Sequence, residues 1–450
     1  MTARQMKLTA FNHPPGHWRM PGALPTDMEF EEIVHMARVA ERGKFDMLFF
    51  QDSAAVAPAY YLSGGKAEAL AEAARCVRLE PLTLLAALAT VTTRLGLIST
   101  ATTTYNDPFS IARKFATIDH ISKGRAGWNL VTSQNEDEAQ NFSQDAHMDH
   151  ALRYERAQEF YDVVTGLWDS WEDDAVIRDH ATGRYIDPAK LHLLNHKGKH
   201  FNVRGPLNVA RPPQGYPVIA QAGSSDPGCE LAARTADVVF TAQVELGEGQ
   251  QFYRGLKARM ARYGRHPDHL KIMPGIRYVL GATQGEAQAK YDQMVAGASE
   301  EAALASVQRL AGDLDLRRFP LDGPLPDLPP SNAAKARQKM LIDLARRENL
   351  SIRALGRRFT FSLGHLVYVG TPAGLADMME EWFTEGAADG FTMLSPYYTK
   401  PLEEFVDTVI PELQRRGLFR TEYEGATLRE NLGVPFRSNR FAAPAEAVSA

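Results

Sequence analysis

Cysteine is scarce, with only Cys76 and Cys229 in 450 residues. Two such residues make no disulfide framework, and a cytoplasmic setting is the expectation. Long hydrophobic runs are also missing. No stretch approaches the roughly 20 apolar residues that cross a bilayer. The N-terminal MTARQMKLTAF has no long apolar stretch and no small-residue cleavage site, so neither a secretion signal nor a membrane partner is expected. Charge of one sign is not in large excess. Lys and Arg number 50, Asp and Glu 55, for a net charge of −5. With no long basic block, nucleic acid is not an expected partner. The chain also lacks GxGxxG after a strand, GxxxxGK[ST], HExxH and GxSxG. A nicotinamide Rossmann site is therefore unsupported. No repeat of the solenoid kind is visible.

What is present is an alternation. Eight times a short apolar run is followed by an amphipathic helix, the pattern of a (β/α)8 TIM barrel, an α/β fold. The strands are expected at 7–11, 45–50, 95–99, 126–131, 218–222, 238–241, 272–280 and 391–394. Helices fall between them, the eighth at 401–416. Thr26 and Glu29 have capping-box spacing before the first helix, and Gly43 can stop it. A barrel with insertions uses this length as one domain, residues 1–450. The insertions fall at about 54–80, 172–216 and 282–368, over the C-terminal mouth. The first holds Tyr60 and Tyr61. The third contains the proline-dense, loop-like LDGPLPDLPPSN. The tail 418–450 has little periodicity and is expected to wrap a neighbour or fray.

In such a barrel, polar residues at strand C-termini mark the site. Asp52, Thr100, Asn129 and Ser133 end the second, third and fourth strands. Asp52 is the single carboxylate among them, so the set favours neutral hydrogen bonding over acid–base work. After the fifth strand comes GSSDPG. Ser224 and Ser225 before Asp226 and Pro227 suit a helix start, and capped helix N-termini bind anions; plain capping explains the same residues. His150 and Tyr154 share a helix face at the start of the fourth helix, where they could grip a phosphate or a substrate. Tyr154 is equally the first rung of an aromatic core stripe. His192, His196 and His200 recur every four residues, a metal spacing on a helix. The surrounding LHLLNHKGKH reads as turn and strand instead, and no metal is expected.

Five stretches carry a resemblance: GKFDMLFFQD at 43–52, STATTTYNDPFSIARKFATIDHISKGRAGWNLVTS at 99–133, RYERAQEFYDVVTGLWDSWEDDAV at 153–176, HKGKHFNVRGPLN at 196–208 and PVIAQAGSSDPG at 217–228. The chain resembles flavin-dependent monooxygenases of the bacterial-luciferase superfamily. The branch is that of nitrilotriacetate monooxygenase component A, long-chain alkane monooxygenase and dibenzothiophene-sulfone monooxygenase. The resemblance implies a barrel of bacterial-luciferase type with noncovalent FMN at its mouth. It also implies a separate NAD(P)H:flavin reductase that supplies reduced FMN, with O2 as co-substrate, and a homodimer or homotetramer. Carried over by motif position, Asp52 and Thr100 flank the isoalloxazine, and His150, Tyr154 and Ser225, with Ser224 beside it, lie along the ribityl phosphate. Asn129 and Ser133 stand beside the flavin. His13 and His17, on the loop after the first strand, are candidates to hydrogen-bond or protonate a small organic substrate. The reaction implied is oxygenation, with C–N or C–S cleavage when it falls next to nitrogen or sulfur. SQNEDEAQNFSQ at 133–144 departs from the alkane and sulfone branches and is more like the nitrilotriacetate type. Two alternatives stay open: a deazaflavin-dependent oxidoreductase of the same fold, and a flavin-binding protein without turnover.

Overall fold

A computed structural model describes residues 4–12, 20–23, 28–56, 77–133, 137–297, 299–308, 310–311, 314–329 and 335–442. Eight parallel strands close into a barrel: β1 Lys7–Asn12, β2 Met47–Phe50, β3 Gly96–Thr102, β4 Ala126–Val131, β5 Val218–Ala222, β6 Val238–Thr241, β7 Lys271–Leu280 and β8 Gly390–Leu394. The ring runs in chain order. It closes where β8 pairs with β1, Lys7 opposite Gly390.

Period-two alternation sorts the strand residues. Phe11, Phe49, Ile98, Ala220, Phe240, Met273 and Leu394 fill the interior. Leu8, Leu48, Leu97, Trp128, Ile219 and Ile276 point outward to the helical layer. That layer holds α1 Phe30–Arg42, α2 Pro81–Leu88, α3 Pro108–Ser122, α4 His150–Trp168, α5 Asp226–Thr235, α6 Leu246–Arg259, α7 Pro372–Thr384 and α8 Lys400–Arg415. No helix among the described residues is long and apolar enough to cross a membrane.

α1 stops at Gly43, its C-cap, as expected, but its start differs. Glu29 itself is the N-cap and makes no side-chain cap bond; Thr26 lies outside the described residues. At the other end the left-handed residue is Lys44, at φ 58°, one position past Gly43. Gly43 is needed for close approach instead, since a Cβ there would meet Val406 of α8 at 2.6 Å. β3 runs three residues beyond the expected end, which makes Thr100 part of the ladder.

The 172–216 insertion is extended, as its sequence reads: Val176–Asp179 pairs with Arg184–Ile186, and His196–Lys197 with Asn202–Val203. Outside its proline-dense stretch the third insertion is mostly helical. Helices Gln284–Ala296, Glu300–Gln308, Lys335–Arg347 and Ile352–Ser362 occupy it, and Leu304, Val307, Leu341, Leu344, Leu355 and Phe359 build a separate core. The loop reading holds for Leu325–Pro329, where prolines remove helix donors. A strand absent from the sequence reading, Leu366–Gly370, pairs with the upper half of β7. It extends the wall above the rim on the β6 side.

The tail corrects an expectation. Among the described residues it neither frays nor leaves its own chain, but closes the barrel floor. Helix Leu428–Leu432 starts with a capping box of Thr427 and Glu430, and Leu428, Leu432 and Val434 join the interior core. Buried Asp46, Asp237 and Asp389 each precede a strand and accept an N–H from the adjacent one: Leu8, Ile219 and Ile272 at 2.7, 3.0 and 2.9 Å. The tail brings Arg420 to Asp46 and Arg429 to Asp237, the latter at 2.6 Å.

Candidate active site

The strand C-termini gather the polar residues. Thr100 Oγ1 donates to the Phe50 carbonyl at 2.9 Å, tying β3 to β2. With that proton committed, Thr100 Oγ1 can only accept from Asn129 Nδ2, at 2.8 Å. The amide orientation of Asn129 is thereby fixed. Its Oδ1 is turned away, buried and without a hydrogen-bond partner among the described residues. An orphaned buried acceptor is costly unless a donor arrives.

Ser133 sits in the left-handed region at φ 53°. Its hydroxyl lies 2.9 Å from Thr102 Oγ1 and donates to Glu138 Oε2 at 2.6 Å. Ser53 donates to the other Glu138 oxygen at 2.7 Å. Buried Glu138 thus joins the loops after β2 and β4. The Ser133 hydroxyl is engaged in this tie. Asp52, beside Ser53, is half buried. Burial pushes its carboxyl up to about 6, against a smaller downward pull from Arg78.

The end of β5 supplies the second half. Ser225 is the N-cap of α5 and accepts the Gly228 N–H at 3.3 Å. The Tyr154 hydroxyl stands 3.3 Å from Ser225 Oγ, and the His150 ring is 5.0 Å from the Tyr154 ring. A serine, a phenol and the start of α5 therefore converge, with His150 next to them. Gly223, at φ 148°, has nothing among the described residues within 4 Å of its Cβ position. Asp226 is the one carboxylate in this first turn, and Arg259 engages it at 2.6 Å. Ser224 is exposed and does not cap.

Asp52, Thr100, Asn129 and Ser133 thus lie at one end of the barrel, with His150, Tyr154 and Ser225 at the same end beside β4 and β5. His13, His17 and Gln134 lie outside the described residues, as do Tyr60 and Tyr61. The three spaced histidines are not stacked. His192, His196 and His200 pair with Glu172, Glu159 and Glu155 at 2.8, 2.9 and 3.0 Å.

Comparison with known proteins decides the family. The luciferase-like monooxygenase family matches residues 9–389. Nitrilotriacetate monooxygenase component A of Aminobacter aminovorans is 51% identical over 437 residues, covering 95% of each chain. N-acetyl-S-(2-succino)cysteine monooxygenase of Bacillus subtilis (strain 168) is 48% identical over 98% of this chain and 99% of its own. Among solved structures, riboflavin lyase with modified FMN and substrate riboflavin superposes at a TM-score of 0.86, with 30% identity and 96% of each chain covered. The chain belongs to the luciferase-like monooxygenases. It is a flavin-dependent monooxygenase, and its barrel is the fold of that family.

The residues of this luciferase-like monooxygenase fit a flavin. The Asn129 acceptor awaits an N–H of the kind a flavin ring carries, and the capped α5 start with Tyr154 suits a phosphate. Sequence reasoning missed Glu138, although it stands seven residues past the end of β4 inside a polar run. It also missed Tyr105 and His147, whose hydroxyl and Nδ1 bond at the same end. Burial, then Arg153, holds the His147 imidazole down at about 4, so it is neutral at pH 7.

Proposed function

We propose that this monooxygenase takes reduced FMN from a separate NAD(P)H:flavin reductase and uses O2 to oxygenate a small organic substrate at the barrel mouth. The observation that carries the reading is the joint presence of an unfilled acceptor at Asn129 and an anion-suited corner at Ser225 and Tyr154. Reduced FMN supplies the electrons: one oxygen atom enters a substrate C–H bond, and the other leaves as water. The protein positions and shields this chemistry.

Asp52 and Thr100 flank the ring, and Asn129 receives its N–H. His150, Tyr154, Ser224 and Ser225 hold the ribityl phosphate. Glu138 keeps the Ser53 and Ser133 loops at a fixed separation. We assign His13 and His17 the role of hydrogen-bonding or protonating the substrate. The names of the two relatives above denote an amine and a thioether that carry carboxylates. They support a substrate oxygenated next to nitrogen or sulfur, where the new hydroxyl collapses to a carbonyl and releases the amine or thiol. The name "component A" supports a separate partner protein. We take the chain to act in the cytoplasm as one barrel unit, assembled as a homodimer or homotetramer.

A coupled assay tests this. The chain, a free flavin reductase, NADH and FMN are mixed in air with nitrilotriacetate or N-acetyl-S-(2-succino)cysteine. Substrate is expected to disappear only when both proteins are present. NADH consumption with both candidate substrates left unchanged would count against the proposal.

A further inference from the structure

One charge inside the barrel is unused by the flavin reading. Arg277, on β7, is fully buried. Alternation sets its direction. Met273 packs in the interior core, and a Cβ on Gly275 would meet Phe240 and Leu394 at 2.7 and 2.8 Å. Ile276 and Tyr278 point the other way, into the helical layer. Arg277 follows Gly275 by two and shares the inward face. It pairs in register with Leu394, the last residue of β8, so it stands at the rim. On its other side is Val367 of the added strand. The Phe361 ring, from helix Ile352–Ser362 of the third insertion, lies 5.7 Å from its guanidinium carbon.

Among the described residues no group answers this charge: Nε, Nη1 and Nη2 all lack a hydrogen-bond partner. The contrast with other buried arginines is direct. Arg125 is saturated by carbonyls of Ala89, Thr92 and Leu95, and Arg429 faces Asp237. Burial alone lowers the Arg277 pKa, to about 10, which leaves it charged at neutral pH. A buried guanidinium with no counter-ion opposes folding, and a planar five-donor fork is shaped for a carboxylate. In the ring of eight, β7 lies opposite β3. Arg277 therefore faces the Thr100 side of the mouth from across the barrel.

We infer that Arg277 anchors a carboxylate of the substrate, so that the site selects small organic anions and holds the rest of the molecule toward the barrel centre. Phe361 and the added strand keep water from this pair, which strengthens it. The inference rests on the reading of the mouth as an oxygenase site, and it assigns that site a substrate class and a specificity residue.

The FMN-loaded enzyme is titrated with nitrilotriacetate, N-acetyl-S-(2-succino)cysteine and succinate, and with the methyl ester of each. At least one acid is expected to bind about 10- to 100-fold more tightly than its ester, the range a charge-assisted pair confers. Arg277→Met removes that preference, leaves ester and FMN affinity unchanged, and raises the Tm of the ligand-free protein, because an unanswered charge becomes apolar volume. Arg277→Lys retains part of the preference. Three results overturn the inference: no acid preference in the wild type, an acid preference that survives in Arg277→Met, or a loss of FMN affinity in that variant. A fall in Tm would make Arg277 structural and overturn it as well. Should the wild type fail to bind FMN, the flavin reading falls. The same acid and ester titrations without FMN then decide Arg277 separately.

Discussion

Asp52 carries the clearest pH signature of any single residue at the mouth. Its native pKa of about 6 stands above the ordinary 3.8, because burial disfavours the charged form. A raised carboxyl favours the fold most below pH 4, and that advantage is lost as pH rises through 6. FMN affinity is expected to change around pH 6 in the wild type, where the phosphate titrates as well, and to change less in Asp52→Asn, as read by flavin titration across pH 5–8. Ser225 makes a different prediction. Ser225→Asp keeps a capping oxygen but sets a negative charge at the α5 start, so FMN affinity should fall by about 10-fold or more, from charge repulsion at short range. Unchanged affinity removes Ser225 from the phosphate corner. Asn129 and Ser133 were legible in the sequence because a strand visibly empties into them. Arg277 was not, because nothing in KIMPGIRYVL tells an inward arginine without a partner from one that finds a carboxylate.

Two short elements set the shape of the mouth. The first turn of α5 approaches α4 so closely that a Cβ on Gly228 would meet Ser225 Oγ at 3.0 Å and the Tyr154 hydroxyl at 3.1 Å. Gly228→Ala should spread that corner and weaken FMN binding with little change in Tm, a pattern read by parallel titration and thermal unfolding. The loops after β2 and β4 are held by Glu138. Glu138→Ala leaves two hydroxyls without their charged acceptor and should cost about 1–3 kcal/mol in denaturant unfolding. Element type was legible wherever apolar spacing was regular, as in α1 and α4. It failed in the third insertion, where the proline run drew attention from helices such as Ile352–Ser362. Those helices bury much of their apolar stripe against one another, with Met294 and Phe361 set against Val279 of β7, so their spacing did not extend the eightfold pattern. The strand Leu366–Gly370 was hidden because it adds to the wall of an already closed ring.

Across the whole molecule, the two ends of the barrel divide the work. The floor spends its charges on stability and is closed by the chain's own tail. Burial would raise the Asp237 carboxyl, but Arg429, Arg437 and Arg265 outweigh it and hold it well below the usual range. A depressed carboxyl contributes above its unfolded value and is lost as pH falls through the native one. Arg429→Met should cost about 3–5 kcal/mol, the penalty of breaking a buried pair, and move acid unfolding to higher pH. The tail's role was readable only in part. The TLRE capping box stands in the sequence, but no local periodicity tells that an arginine will meet an aspartate some 190 residues away. The mouth, by contrast, leaves groups unanswered among the described residues: an acceptor at Asn129 and a bare guanidinium, beside a capped helix start. The claim that these serve oxygen chemistry with reduced flavin is tested most directly by binding photoreduced FMN without oxygen, then mixing rapidly with oxygenated buffer and following flavin absorbance. The account predicts a delay before oxidised FMN appears, longer than for free FMN, because the bound flavin is shielded from water. Reoxidation at the free-solution rate, or no binding of reduced FMN, would contradict it.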